Sequence, residues 1–296
     1  MQTPYWLKKR ITLNDELLQT KRILSELGIN TVCESSLCPN LNECFSRKTV
    51  TFMILGRSCT RGCRFCRVER STPAGIDMNE PERIVEAVRR LGLKYIVITS
   101  VTRDDLKDGG AGQFVKTIEA IKASFAGIKI EVLIPDLKGD LPAVTKVLKA
   151  SPDVFSHNIE TVHRLYPALR PEADYDRSLA VLEYAKKISP GQMTKTALMV
   201  GLGETENEVL EAMKDIRRTG CDVLVIGQYL RPSAANAAVN RFVTPEEFGR
   251  YKQAGEGLGF GHVEAGPFVR SSYAADAIFK HMEEKDHDRC YSAAVS

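Results

Sequence analysis

Runs rich in apolar and β-branched residues recur along the chain: VTFMIL (50–55), YIVITSV (95–101), KIEVLIP (129–135), VFSHNI (154–159), TKTALMV (194–200) and VLVIGQYL (223–230). Between them lie amphipathic segments near 81–92, 113–125, 140–150, 174–188 and 205–219, and one more follows near 245–258. Strands alternating with helices predict a parallel sheet buried on both faces. Right-handed crossovers of this length roll such a sheet into a full or partial barrel. Six βα units fall short of the eight of a closed barrel. The pattern fits an open six-strand barrel or a doubly wound flat sheet.

The polar, glycine-rich stretches follow the strands: SCTRGCRFC, TSVTRDDLKDGGAG, HNIETVHRLYPALR and VGLGETENE. In parallel α/β folds that end of the sheet carries the chemistry. A cysteine-rich loop therefore leaves the first strand at the expected mouth of the barrel.

With 296 residues the chain is long enough for one large domain with terminal extensions. Apolar residues make up 43% and charged residues 27%, as in an ordinary globular protein. A net charge of +3 is too weak to argue for nucleic acid or a membrane surface. There is no run of about 18 apolar residues, so no membrane span is expected. The first residues, MQTPYWLKKRITLNDELL, lack the apolar core of a signal peptide. The expected compartment is the cytoplasm, where clustered thiols suggest metal binding or catalysis before disulfides. Of the 8 cysteines, those at 33, 38, 44, 59, 63 and 66 crowd together, while Cys221 and Cys290 stand alone. Cys221 reads as a small buried hydrophobe, and Cys290 has no assigned role.

Cys59, Cys63 and Cys66 are spaced C-x3-C-x2-C. A structural zinc site takes four ligands, often as two C-x2-C pairs. A fully ligated iron–sulfur cluster also takes four. A cluster held by three leaves one iron open, and an open position marks a catalytic metal. Upstream, Cys33, Cys38 and Cys44 are spaced C-x4-C-x5-C. That set could be a zinc knob or unrelated thiols, but two triplets so close together fit two clusters facing one site.

The C-x3-C-x-aromatic-C run of Cys59, Cys63, Phe65 and Cys66 resembles the signature of the radical S-adenosylmethionine (SAM) superfamily. The two triplets together resemble the lipoyl synthases. So do TVCESSLCPNLNECF, SVTRDDLKDGGA, FSHNIETVHRLYP, TKTALMVGLGET, QYLRPS and GPFVRSSY, in the same order from about residue 5 to 280. The resemblance implies an α/β fold, a partial (β/α)6 radical SAM barrel over 49–260. An N-terminal cysteine-rich extension (1–48) and a C-terminal extension (261–296) with the RSSY motif would flank it. It implies two 4Fe-4S clusters and S-adenosyl-L-methionine as cofactors. The activity implied is a sulfurtransferase that inserts two sulfur atoms, at C6 and C8, into a protein-bound octanoyl-lysine. SAM would be the fourth ligand at Cys59, Cys63 and Cys66, and the auxiliary cluster the sacrificial sulfur donor. Implied partners are an octanoylated lipoyl carrier domain or H-protein, an electron donor such as ferredoxin or flavodoxin, and an iron–sulfur cluster carrier for reloading. Nucleic acid and membrane are not among them.

The resemblance also implies ligands. Cys33, Cys38 and Cys44 would hold the auxiliary cluster with a serine of RSSY, Ser272 before Ser271. Without the family, a serine ahead of YAADAIFKHM reads as a helix N-cap. Phe65 would lie near the adenine. Thr99, Ser100 and Asp104 would serve the methionine ammonium and ribose, and Asn158 and Glu160 the ribose. Arg170 or Lys195 would pair with the methionine carboxylate. Loop salt bridges are the alternative for each charged residue. Gly201 and Gly203 would let the backbone approach the adenine. His157 and His163 are expected to be structural. The chain departs from the family at Phe45, commonly Trp, and at Ala235 and Asn236, where basic groups are common. These departures are expected to bear on the carrier and not on the clusters. Other radical SAM chemistry, or a two-cluster electron carrier or zinc-stabilised binding protein, are the competing functions.

Overall fold

A computed structural model of the chain describes residues 2–295 apart from Arg10 and Thr12, with side chains placed through Lys285. The side chain of Cys290 therefore lies outside the described residues. The N-terminal segment forms α1 (Asp15–Glu26), α2 (Val32–Ser35) and α3 (Leu41–Ser46). Then come β1 (Thr51–Ile54), a minimal parallel pair β2 (Ser58–Cys59) and β3 (Glu69–Arg70), α4 (Glu80–Leu91), β4 (Tyr95–Ser100) and α5 (Ala111–Ser124). These are followed by β5 (Lys129–Leu133), α6 (Leu141–Lys149), β6 (Val154–Ser156), α7 (Tyr166–Leu169) and α8 (Tyr175–Ile188). The chain continues through β7 (Met193–Val200), α9 (Glu206–Arg218), β8 (Val223–Gln228), α10 (Pro245–Gly257), β9 (His262–Gly266) and α11 (Ala275–Val295).

The main sheet has the order β1-β4-β5-β6-β7-β8-β9, and each neighbouring pair is parallel. Spatial order follows chain order with no reversal. That excludes the doubly wound alternative, whose strand order turns back at a switch point. Six βα units are present as predicted. The seventh strand, β9, lies within the segment expected as a C-terminal extension and pairs with β8 from Val223↔His262 to Gly227↔Gly266. HVEAG mixes a histidine, a glutamate and a glycine, so its apolar signal is weak and the periodicity does not reveal it.

Parallel strands must be covered on both faces, and the core follows that demand. Phe52, Ile54, Ile96, Ile98, Ile130, Val132 and Phe155 pack outward with Ile84, Val88, Phe114, Ile118, Val144 and Val147 of α4, α5 and α6. Leu198, Val200, Leu224 and Ile226 do the same against Met213 and Ile216 of α9 and Phe248 and Tyr251 of α10. Capping boxes start both α9 (Thr205 with Glu208) and α10 (Thr244 with Glu247). Cys221 is fully buried, as its apolar surroundings predict.

The inner face is treated differently. Ala197, Val223 and Val225 meet Val269 and the α11 residues Ile278 and Met282. The C-terminal segment thus folds back inside the sheet. Gly227 makes this passage sterically feasible: a Cβ there would lie 2.1 Å from the Val269 carbonyl oxygen. On the opposite edge, Thr31 bridges Phe52 and the Met53 amide donates to the Asn30 carbonyl (2.9 Å), tying the cysteine-rich segment to β1.

Two glycine substitutions are expected to act with opposite sign. Gly227→Ala forces backbone apart and should destabilise the fold by about 1–3 kcal/mol. Gly249→Ala, in α10 with nothing near its Cβ position, should stabilise by about 0.5–1 kcal/mol. Urea unfolding midpoints measure both; an unchanged midpoint for Gly227→Ala contradicts the packing described.

Candidate functional site: two cysteine triplets at the sheet interior

The first triplet sits in the loop that leaves β1. Leu55 (φ +68°) and Gly56 (φ +90°) turn the chain sharply at the strand's end. The Leu55 amide donates to both oxygens of the buried Glu80 carboxylate (3.1 and 3.0 Å). Within the loop, Arg61 lies between the cysteines and is almost fully buried. It donates to Asp104 through Nε (2.6 Å) and Nη2 (2.9 Å), and Nη2 also reaches Asp136 (2.7 Å). Asp136 accepts from Arg177 Nε as well (2.8 Å). Two arginines therefore hold the Asp136 carboxyl well below its usual range despite its burial. Further along, the Arg64 amide donates to the Leu169 carbonyl (2.8 Å). The Asn236 side-chain amide donates to the Cys66 carbonyl (2.7 Å). Asn236 thus touches the backbone of the cysteine loop itself.

The second triplet is assembled from both ends of the chain. Cys33 is buried in α2, and Cys38 and Cys44 are half-buried. Ser272 Oγ accepts from the Thr51 hydroxyl (2.8 Å), and Thr51 in turn sits against the Cys33 sulfur. Tyr273 donates to Glu43 (3.0 Å), beside Cys44, and the Arg270 charge faces Cys38. Asn40 donates to the Phe268 carbonyl (2.7 Å), while Lys9 bonds Asn40 and Glu43 (both 2.6 Å). Among the described contacts neither serine of RSSY bonds a helix amide. Ser271 Oγ donates instead to Asn158 Oδ1 (3.0 Å). The N-cap reading is therefore not what the motif does.

The thiols respond to enclosure. Desolvation pushes Cys33 and Cys66 up to about 12 and Cys44 up to about 11. Cys63 is raised by the same cause, against the pull of the Arg170 charge. At neutral pH these thiols hold their protons until a metal displaces them. Among the described residues no three Cys, His, Asp or Glu converge on one ion-sized point, as a tetrahedral zinc requires. A cube, whose thiolates bind separate irons, needs no such convergence.

The structure distributes the other expected residues unevenly. Asn158 Nδ2 donates to Glu160 Oε1 (3.0 Å). Glu160 holds a left-handed φ of +71°, pinned by backbone bonds to Ala197 and Met199 (2.9 and 2.8 Å). A non-glycine residue there stores strain of about 1–3 kcal/mol, a mark of functional positions. Its carboxyl is raised by desolvation and lowered by Arg170. Arg170 Nη1 donates to the Ile159 carbonyl (3.2 Å) and the Tyr166 hydroxyl (2.8 Å), and its charge faces Cys63. Phe65 packs on the cluster that includes Leu198, Val200 and Tyr229. These residues gather at the mouth.

Others are already engaged. Asp104 is a strut for Arg61. Thr99 donates to the Leu133 carbonyl (2.9 Å), tying β4 to β5. Lys195, early in β7, is 2% exposed and pairs with Glu131 (2.9 Å), which also accepts from Tyr95 (2.8 Å) and Ser156 (3.1 Å). Of the two cations expected for a carboxylate, Arg170 is the one at the mouth. A Cβ at Gly201 would meet Gln228 and the Arg241 carbonyl, so the close approach seen there is to the protein's own chain. His157 is buried, with Nδ1 2.9 Å from the Ile134 carbonyl.

One observation tests whether a ligand fits. Ser100 Oγ, at the end of β4, and His157 Nε2, Thr161 Oγ1 and Arg170 Nε, in the segment that follows β6, are among the buried side-chain atoms without partners. Buried polar atoms are nearly always bonded, so a group of unsatisfied ones at the mouth fits a polar molecule such as SAM. Sequence reasoning did not find Arg61, Asp136, Thr51 or Gly227. Only Arg61, enclosed between two cysteines, carried a local signal.

Comparison with known proteins gives the class first. Residues 53–216 match the Radical SAM superfamily, and the chain belongs to it. Solved structures agree on the fold: HydG, a maturase of the FeFe-hydrogenase, superposes with TM-score 0.57 at 17% identity, covering 71% of this chain and 50% of that one. Methylornithine synthase (PylB) gives 0.53 at 14% identity, covering 72% and 69%. The relatives are more specific. The lipoyl synthase of Caldanaerobacter subterraneus subsp. tengcongensis is 54% identical over 93% of this chain and 96% of its own length. That of Thermus thermophilus is 51% identical over 95% and 88%. Within the superfamily the chain belongs to the lipoyl synthase family, enzymes of the sulfurtransferase type that use SAM and two 4Fe-4S clusters.

The buried imidazole makes a pH prediction. Desolvation lowers His157 from its ordinary 6.5 to about 4, so it stays neutral in the fold while the unfolded chain takes up a proton. Its stabilising contribution is full above pH 6.5 and is lost as pH falls toward 4. Stability should fall by up to about 1.4 kcal/mol per pH unit from this group. His157→Gln should flatten that limb in urea titrations; an equally steep limb contradicts the assignment.

Proposed function

We propose that Cys59, Cys63 and Cys66 hold the radical-generating cluster, and that Cys33, Cys38, Cys44 and Ser272 hold the auxiliary one. The observation that carries this is the meeting of Ser272 with Thr51, 221 residues away in the chain, directly beside Cys33. Held by these residues, the first cluster with SAM would supply the hydrogen-abstracting chemistry needed at C6 and C8, and the auxiliary cluster would supply the sulfur. The protein's own groups position and enclose. Arg170 offers a fixed cation for the methionine carboxylate, a charge-assisted bond. Asn158 and Glu160 take the ribose hydroxyls, and Ser100 Oγ is a free partner for the ammonium. Phe65 covers the adenine. The Arg61 struts hold the cysteine loop in place, and α11 packs on the sheet's inner face at the start of β8, near Val223 and Val225.

The substrate is an octanoyl-lysine on a lipoyl carrier domain or H-protein. A ferredoxin or flavodoxin is the electron source, and a cluster carrier restores the consumed sulfur donor. The setting is the cytoplasm. Among the described residues no helix is long and apolar enough to cross a membrane.

After anaerobic loading with iron and sulfide, the enzyme given SAM, reductant and an octanoyl-lysine peptide should yield a product heavier by two sulfurs. Ser272→Cys should keep its iron and still cleave SAM, but lose sulfur insertion by roughly 100-fold, the upper range for altering a metal site's surroundings. Mass spectrometry reads both products. Full insertion by Ser272→Cys overturns the ligand assignment.

A further inference from the structure

The RSSY motif has two serines, and they face different centres. The Tyr273 amide donates to the Arg270 carbonyl (3.0 Å), closing a turn with Ser271 and Ser272 at its middle. Ser272 meets Thr51 and the Cys33 side (2.8 Å). Ser271 Oγ donates to Asn158 Oδ1 (3.0 Å), and Asn158 Nδ2 donates to Glu160 Oε1 (3.0 Å). The turn is held from behind, where Val269 presses on Gly227, and from the side, where Tyr273 bonds Glu43.

An asparagine amide has an acceptor end and a donor end. Asn158 aims its donor end at a carboxylate. Rotated by half a turn, it would set a carbonyl oxygen against Glu160, which is repulsive. The Ser271 hydroxyl donates to the acceptor end and so fixes the productive orientation. The shared hydrogen-bonded turn ties the backbones of the two serines together. Movement of Ser272 at the auxiliary triplet therefore moves the group that orients Asn158.

We propose that Ser271 is a positioning residue that couples the two centres: engagement of Ser272 at the auxiliary site strengthens SAM binding at the other, through Ser271, Asn158 and Glu160. Coupling between sites is reciprocal in free energy. An enzyme whose auxiliary donor is consumed thus holds SAM less tightly. The proposal rests on the reading of Asn158 and Glu160 as SAM contacts.

The test is equilibrium binding of radiolabelled SAM to the anaerobically loaded protein, with iron content and Mössbauer spectra recorded for each variant. Ser271→Ala should weaken SAM binding roughly tenfold, within the usual range of such couplings, with auxiliary iron unchanged. Ser271→Thr, which keeps the hydroxyl, should bind as the native chain does. Asn158→Ala, which also removes a ribose contact, should weaken binding by at least as much, and adding Ser271→Ala to it should weaken binding no further. Cys38→Ala, which removes the auxiliary cluster, should weaken SAM binding in the native background but not beside Ser271→Ala. Unchanged binding in Ser271→Ala overturns the proposal. So does loss of auxiliary iron in that variant, which would make Ser271 a ligand, or a Cys38→Ala effect of equal size with and without Ser271. Glu160→Gln separates the two levels. If it leaves SAM binding unchanged, the reading of Asn158 and Glu160 fails. If it weakens binding while Ser271→Ala does not, only the coupling fails.

Discussion

A four-iron cube takes four ligands, and each triplet in this chain offers three thiols. That shortfall organises the molecule. At the auxiliary triplet the fold carries RSSY back from the far end of the sequence to Thr51 and Cys33, and in the proposed assignment Ser272 makes up the fourth ligand. At the other site the proposed assignment leaves the fourth position for SAM. The same sheet that positions the thiols must therefore stay open enough to admit a returning chain. Gly227 and the inward packing of Val269 serve that need.

Electrostatics divide the interior into two kinds of polar group. Some are closed sets that hold the frame: Arg61 with Asp104 and Asp136, and Lys195 with Glu131, Tyr95 and Ser156. Buried charges are tolerated there because each has its partner. Others are left incomplete, namely Arg170 Nε, Ser100 Oγ and His157 Nε2. Such groups also occur away from the mouth, at Trp6, Arg83, Ser178, Tyr251 and His262, so it is their grouping beside the cysteine loop that fits a polar ligand.

Much of this was legible in the sequence. The βα alternation predicted the barrel strands and their helices to within a few residues, because buried parallel strands require continuous apolar runs. Cysteine spacing marked both triplets, since ligands on one loop are close in sequence as well as in space. What was not legible depends on contacts between distant segments. β9 lacks an apolar run. Lys195 looked like a free cation because its partner Glu131 lies on another strand. Asp104 looked like a ligand contact because Arg61 lies 43 residues away. Asn236 looked like a carrier determinant, and its bond to Cys66 spans 170 residues. The choice between Ser271 and Ser272 rested on family likeness alone; the partners of the two side chains, Asn158 for Ser271 and Thr51 for Ser272, lie too far away in sequence to be read there.

The central claim is that one cluster keeps an open iron while the other is closed by Ser272. Electron-nuclear double resonance on the reduced protein, with SAM isotopically labelled in its amino and carboxylate groups, tests it most directly. The account predicts that both labels couple to one cluster and neither couples to the second. Labels coupled to no cluster, or to both, would contradict it.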